Sequence, residues 1–105
     1  MESVDAGVQM RISPRATRAT GTIQISGQVD GPIPREGVLV ELLVHYRGAW
    51  VPFRAPRTNS SGRFRTAYQF QGATGRFPFR AEIPGGQVGF PYAGGYSAPV
   101  TVASR

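Results

Sequence analysis

Apolar and polar residues alternate with period two in several stretches of this chain, and turn-forming residues stand between them. The clearest stretch runs from Val38 to Tyr46, with Val38, Val40, Leu42 and Val44 in one phase. Three more follow the same rule: Phe64/Thr66/Tyr68/Phe70, Phe77/Phe79/Ala81/Ile83 and Ile23/Ile25/Gly27/Val29. Successive side chains on a strand point to opposite faces, so each stretch predicts a strand with one buried face. Val8/Met10/Ile12 adds a first strand that Pro14 closes, and Val100/Val102 adds a last one over residues 99–103. Trp50 to Ala55 predicts a further strand, and Pro52 and Pro56 make it an edge or a bulged one, because proline cannot donate to a ladder.

Turn chemistry divides these strands. Asp30-Gly31-Pro32-Ile33-Pro34-Arg35-Glu36-Gly37 and Thr58-Asn59-Ser60-Ser61-Gly62 are dense turn signals, and Arg47-Gly48-Ala49 turns the chain between the third and fourth strands. Arg15 to Gly21 reads as a loop, and Gly27 as the mark of a bulge. The mixed face of the third strand, Leu39/Glu41/Leu43/His45, predicts partial cover by a loop or a second sheet. Together these signals predict an all-β fold: a seven-stranded antiparallel two-sheet β-sandwich, with a polar leader over 1–7, one domain over 8–103 and a tail at 104–105. The stripe pattern is common to immunoglobulin-like and transthyretin-like strand orders. The predicted core is Val8, Met10, Ile12, Ile23, Ile25, Val29, Val38, Val40, Leu42, Val44, Phe64, Tyr68, Phe70, Phe77, Phe79, Ala81, Ile83, Val100 and Val102.

Composition adds limits. A chain of 105 residues fits one domain and can bury a self-sufficient core. It has no cysteine, which removes disulfides, thiolate metal sites and cysteine nucleophiles. Its longest uninterrupted apolar runs are far shorter than the ~20 residues of a membrane helix. Met1-Glu2-Ser3-Val4-Asp5 is acidic and lacks the apolar region of a secretory signal. The net charge is +6, and all 12 basic residues are Arg. Guanidinium groups are planar and permanently charged, so any basic surface here is made of rigid forks. Codon usage in a GC-rich genome gives the same bias and is the favoured cause.

A set of short motifs lines up along residues 21–102: Gly27-Gln28-Val29, Pro32-Ile33-Pro34, Val38-Leu39-Val40, the run from Thr58 to Phe64, and Gly75-Arg76-Phe77-Pro78-Phe79-Arg80-Ala81. This set resembles the carboxypeptidase-regulatory-like (transthyretin-like) β-sandwich modules and, more broadly, the bacterial immunoglobulin-like domains of surface and secreted proteins. The resemblance implies a non-catalytic module, often one of several along a larger extracytoplasmic protein, with neighbouring domains or other proteins as partners. The chain departs from that pattern in its long Gly85–Pro99 loop. Its lack of lysine removes the internal Lys–Asn isopeptide bond of some related modules.

Candidate chemistry is sparse. His45 is the only histidine, and its sequence neighbourhood offers only Glu41, so a structural role is favoured over a general base. The acidic residues are scattered, and no zinc, calcium, phosphate-loop or nucleophile-elbow pattern occurs; neither catalytic residues, a metal nor a cofactor is expected. Asn59-Ser60-Ser61 matches a glycosylation sequon, but Asn59 is better explained as a turn residue. The Gly85–Pro99 loop carries Phe90, Tyr92 and Tyr96 among glycines; they form either an adaptable binding surface or a cap on the open end of the sandwich, and the cap is favoured. Trp50 is either a core plug beside Phe53 or an exposed platform for a sugar, and the core is favoured. Arg63, Arg65 and Arg80 point outward by alternation. If the fourth and fifth strands form a hairpin through residues 58–62, Arg54 and Arg57 join Arg63 and Arg65 in one basic patch. That patch suits an anionic polymer, but a solvated face that keeps the domain soluble is favoured; with Trp50 and the loop aromatics the arginines make a glycan- or anionic-polymer-binding module the alternative function. Nucleic acid fits less well, because the strand aromatics lie in the opposite, inward phase.

Overall fold

The computed structural model describes residues 7–87 and 94–105. Within them the chain is all-β and forms two packed sheets. The strands are β1 (Val8–Ser13), β2 (Ala16–Thr17), β3 (Thr22–Val29), β4 (Glu41–Tyr46), β5 (Ala49–Arg54), β6 (Arg63–Gln69), β7 (Gly75–Ile83), β8 (Gly95–Tyr96) and β9 (Val100–Ser104). One sheet has the order β1-β3-β6, and the other has the order β2-β9-β7-β4-β5 with β8 also on β7. All pairs are antiparallel except β2 with β9.

The inner faces follow the stripes. Every residue of the predicted core either lies in the buried cluster or packs against it, as Met10, Val44, Tyr68 and Val100 do. Ile33, Phe53 and Ala73 join from turns and the edge strand. At the centre Phe79, 1% exposed, stands between Phe53, Tyr68 and Phe70, with ring centroids 5.6, 6.0 and 6.3 Å away. Tyr68 and Phe70 come from the β6 side and Phe79 from β7, so these edge-to-face contacts join the two sheets.

Several local expectations are corrected. The register of β3 runs unbroken through Gly27 against both β1 and β6, so no bulge forms there. Gly27 is required for another reason. A Cβ at that position would run into the Phe64 ring and the Gln9 carbonyl oxygen. The 15–21 segment contains the short strand β2, which has no apolar stripe to announce it. Ser104 belongs to β9, and the Arg105 N–H donates to the Thr17 carbonyl at 2.9 Å, so the expected tail is paired backbone. The Arg47-Gly48 turn has positive φ at both residues (51° and 81°), the type I′ geometry whose twist matches that of the flanking strands.

The third strand is shorter than its stripe. Val38 and Val40 are buried, yet β4 begins only at Glu41. The 38–40 segment pairs instead with 56–58: the Val40 N–H donates to the Pro56 carbonyl and the Thr58 N–H to the Val38 carbonyl, both at 2.9 Å. The Val38 N–H donates in turn to Thr58 Oγ1 at 2.9 Å. Both segments are crossings between the sheets, β3 to β4 and β5 to β6, and they brace each other at one pole.

The β4–β7 ladder stops for a reason visible in its register. Glu41 faces Glu82, so Leu39 would face Pro84, which has no N–H to give. The Gln87 carboxamide takes that place. The Leu39 N–H donates to Gln87 Oε1 at 2.7 Å, and Gln87 Nε2 donates to the carbonyls of Leu39 and Pro84 at 3.0 Å.

Two substitutions test these readings. Gly27→Ala should lower unfolding free energy by about 1–3 kcal/mol through overpacking, measured by urea denaturation; an unchanged midpoint contradicts the close approach of Phe64. Gln87→Glu keeps the acceptor for Leu39 but removes the donor. It should cost about 1–2 kcal/mol in the same assay and speed amide exchange at Leu39.

Candidate functional site

Two surfaces collect the chemistry of this chain, one on the outer face of each sheet. The larger sheet carries Glu41, Leu43 and His45 of β4 on its outer phase. Leu43 faces Arg80 of β7 on one side and Pro52 of β5 on the other, while His45 faces Trp50. Glu82 lies opposite both Glu41 and Tyr96.

On this face Arg80 is stacked between two rings. Its guanidinium carbon lies 4.3 Å from the Trp50 ring centroid and 4.1 Å from that of Tyr96. His45 meets Trp50 edge-on, with centroids 5.2 Å apart. The positive guanidinium is attracted to the negative faces of both rings, and its flat apolar surface suits the stack. Arg80 Nε is buried and has no hydrogen-bond partner among the described residues, so the rings and not an acceptor hold that side of the group. Leu43, opposite Arg80 in register, is 6% exposed although it points away from the core. Among the described residues Leu43 is flanked by Arg80 and Pro52, and Gln87 from the loop after β7 caps Leu39 beside it.

Trp50 is therefore not a core plug: it is half-buried on the outer face, and the core position belongs to Phe53. Trp50 and Phe53 are three residues apart, so alternation puts them on opposite faces, and pairing with His45 sets Trp50 on the outer one. Tyr96 does not cap an open end. It returns in β8 against β7 and is 56% exposed. Ser97 secures that return: its N–H donates to the Ala81 carbonyl, and its Oγ accepts from the Ala81 N–H, both at 2.9 Å. Phe90 and Tyr92 lie outside the described residues.

The second surface is the outer face of the three-stranded sheet. Cross-strand rows read Gln9–Gln28–Arg63 and Arg11–Ser26–Arg65. These residues and Asn59 line an open, polar concavity of about 650 Å³. Asn59 is a turn residue, as expected. Its Oδ1 accepts from the N–H groups of Ser61 and Arg63 at 2.9 and 3.0 Å, which fixes the turn at the end of the concavity.

The four-arginine patch does not assemble. β5 pairs with β4 and β6 with β3, in different sheets, so the chain between them is a crossing and not a hairpin. Arg54 ends the edge strand of the larger sheet, and Arg57 Nη1 donates to the Gly37 carbonyl at 3.2 Å within the braced crossings. Arg63 and Arg65 are exposed as alternation predicts, but their basic neighbour is Arg11. Arg11 alternates outward on β1 in the sequence; only the pairing of β1 and β6 with opposite edges of β3 brings it to Arg65. Among the described residues no three His, Asp or Glu side chains converge as a metal site would require. No helix there is long and apolar enough to cross a membrane. In comparisons with known proteins, the chain matches no family model and no curated protein.

The stack predicts its own contribution. Arg80→Ala should destabilise the fold by about 1–3 kcal/mol, through two lost cation–π contacts and the uncovering of Leu43. Trp50 is the only tryptophan, so its emission should shift in the same variant. Unchanged emission and an unchanged midpoint together refute the stack.

Proposed function

We propose that this chain is a non-catalytic β-sandwich module, immunoglobulin-like in strand order, that serves as a spacer, scaffold or interaction domain of a larger extracytoplasmic bacterial protein. The strand order supports the immunoglobulin-like reading over the transthyretin-like one. In immunoglobulin terms β1, β3 and β6 correspond to A, B and E, and β4, β7 and β9 to C, F and G, with β5 beside C. The bacterial and extracytoplasmic parts of the proposal rest on the motif resemblance of residues 21–102.

One observation carries the spacer reading: the chain enters at one pole and leaves at the other. At the entry the Asp30 N–H donates to the Gly7 carbonyl at 2.9 Å, beside the Val8–Val29 pair. At the exit the Ala19 N–H donates to the Arg105 carbonyl at 2.7 Å, beside the Thr17–Ser104 pair. β1 and β2 run in succession from the first pole to the second. Force or position applied at one end is therefore transmitted along strands that are paired over their length. Such a unit holds its neighbours apart at a set distance and presents its two outer faces to partners.

Fusing one folded partner before Gly7 and another after Arg105 tests this by small-angle X-ray scattering. The partners should stand apart by roughly 30 Å more than in a direct fusion, the length of about ten strand residues, with a narrow distance distribution. Partners lying side by side would remove the spacer role.

A further inference from the structure

The outer face of the three-stranded sheet has a composition that the spacer role does not call for. Its rows carry Gln9, Gln28, Gln24, Ser13 and Ser26, with arginines at Arg11, Arg63 and Arg65. No carboxylate and no aromatic residue stands in these rows, and Asp30 lies beyond them toward the pole. Strand geometry sets the charge spacing. Arg63 and Arg65 are two residues apart on β6, about 7 Å, and Arg11 lies two strands from Arg65, about 10 Å. The concavity between them is open to solvent and lined by residues of all three strands, so a ligand can cross several strands on it.

We propose that this face binds an acidic polysaccharide. Carboxylate or sulfate groups would pair with Arg11, Arg63 and Arg65, since guanidinium forks match planar and tetrahedral oxyanions in two-point hydrogen bonds. Amide and hydroxyl side chains between the arginines both donate and accept, which fits sugar hydroxyls. A single-stranded nucleic acid supplies anions too, but its bases need stacking surfaces, and the described outer rows of this face hold no aromatic side chain. Among the described residues, the stacked aromatic pair Trp50 and Tyr96 lies on the other sheet and already holds Arg80. The assignment is independent of the spacer role, because it concerns a face and not the chain ends.

The test compares surface-immobilised protein against polygalacturonate, heparin, neutral dextran and a dT20 oligonucleotide, from 20 to 300 mM NaCl. Polygalacturonate or heparin should bind at low salt and weaken steadily as salt rises, and dextran should not bind. Binding of only one acidic polymer identifies carboxylate or sulfate as the group recognised. Arg63→Gln/Arg65→Gln should weaken binding about tenfold or more. Arg54→Gln/Arg76→Gln removes the same charge from exposed positions of the other sheet and should leave binding within about twofold. Melting curves matched to the parent protein establish that both variants fold. In a nitrogen-15 spectrum, a heparin hexasaccharide should shift the amides of Arg11, Ser26 and Arg65 and leave the Trp50 indole unmoved. Equal losses in the two double variants would reduce the effect to net charge and overturn the site. So would tighter binding of dT20, shifts centred on Trp50, or no binding of either acidic polymer at 20 mM NaCl.

Discussion

The aromatic contact between β7 and the β6 side of the sandwich is the interaction on which the other features rest. Phe79 reaches across the interior to Tyr68 and Phe70, and Phe77 meets Phe70 at 5.7 Å. These rings fix the separation and the relative position of the two sheets, since packed rings cannot slide without opening space. β7 is also the middle strand of the larger sheet, with β4 on one side and β9 with β8 on the other. Its inward phase thus holds the core, and its outward phase places Arg80 at the middle of the larger sheet.

From this follows the difference between the two outer faces. On the larger sheet Trp50, Arg80 and Tyr96 are committed to one another, and Leu43 is buried beside Arg80. A guanidinium held between two rings offers less to a partner than one in solvent. Among the described residues no such stack covers the smaller sheet. Its arginines and amides stand in register with free space above them. For that reason the proposed polysaccharide site is assigned to the smaller sheet.

The crossings show how backbone accounting shapes the ends of a sandwich. Pro84 cannot complete the ladder against Leu39, and Gln87 supplies both the donor and the acceptor that an ordinary strand residue would have offered. Thr58 does similar work for Val38 with a hydroxyl. Neither role leaves a mark in a hydropathy pattern, because each is a polar side chain standing in for main chain.

The stripes alone determined the β class, the inward phase of the main strands and the membership of the core, down to partly buried positions such as Met10 and Val100. That information is local: period-two alternation needs no knowledge of neighbours. Pairing decided the rest. Trp50 lies outside the core because it pairs with the outward-facing His45, Arg54 and Arg57 parted from Arg63 and Arg65 because β5 and β6 chose different sheets, and Arg11 joined Arg65 because both flank β3. Strands β2 and β8, two residues each, are too short to carry a period and exist only through the edges that receive them. A face is written along the chain, whereas the residues that share it are chosen by hydrogen bonds between segments far apart in sequence.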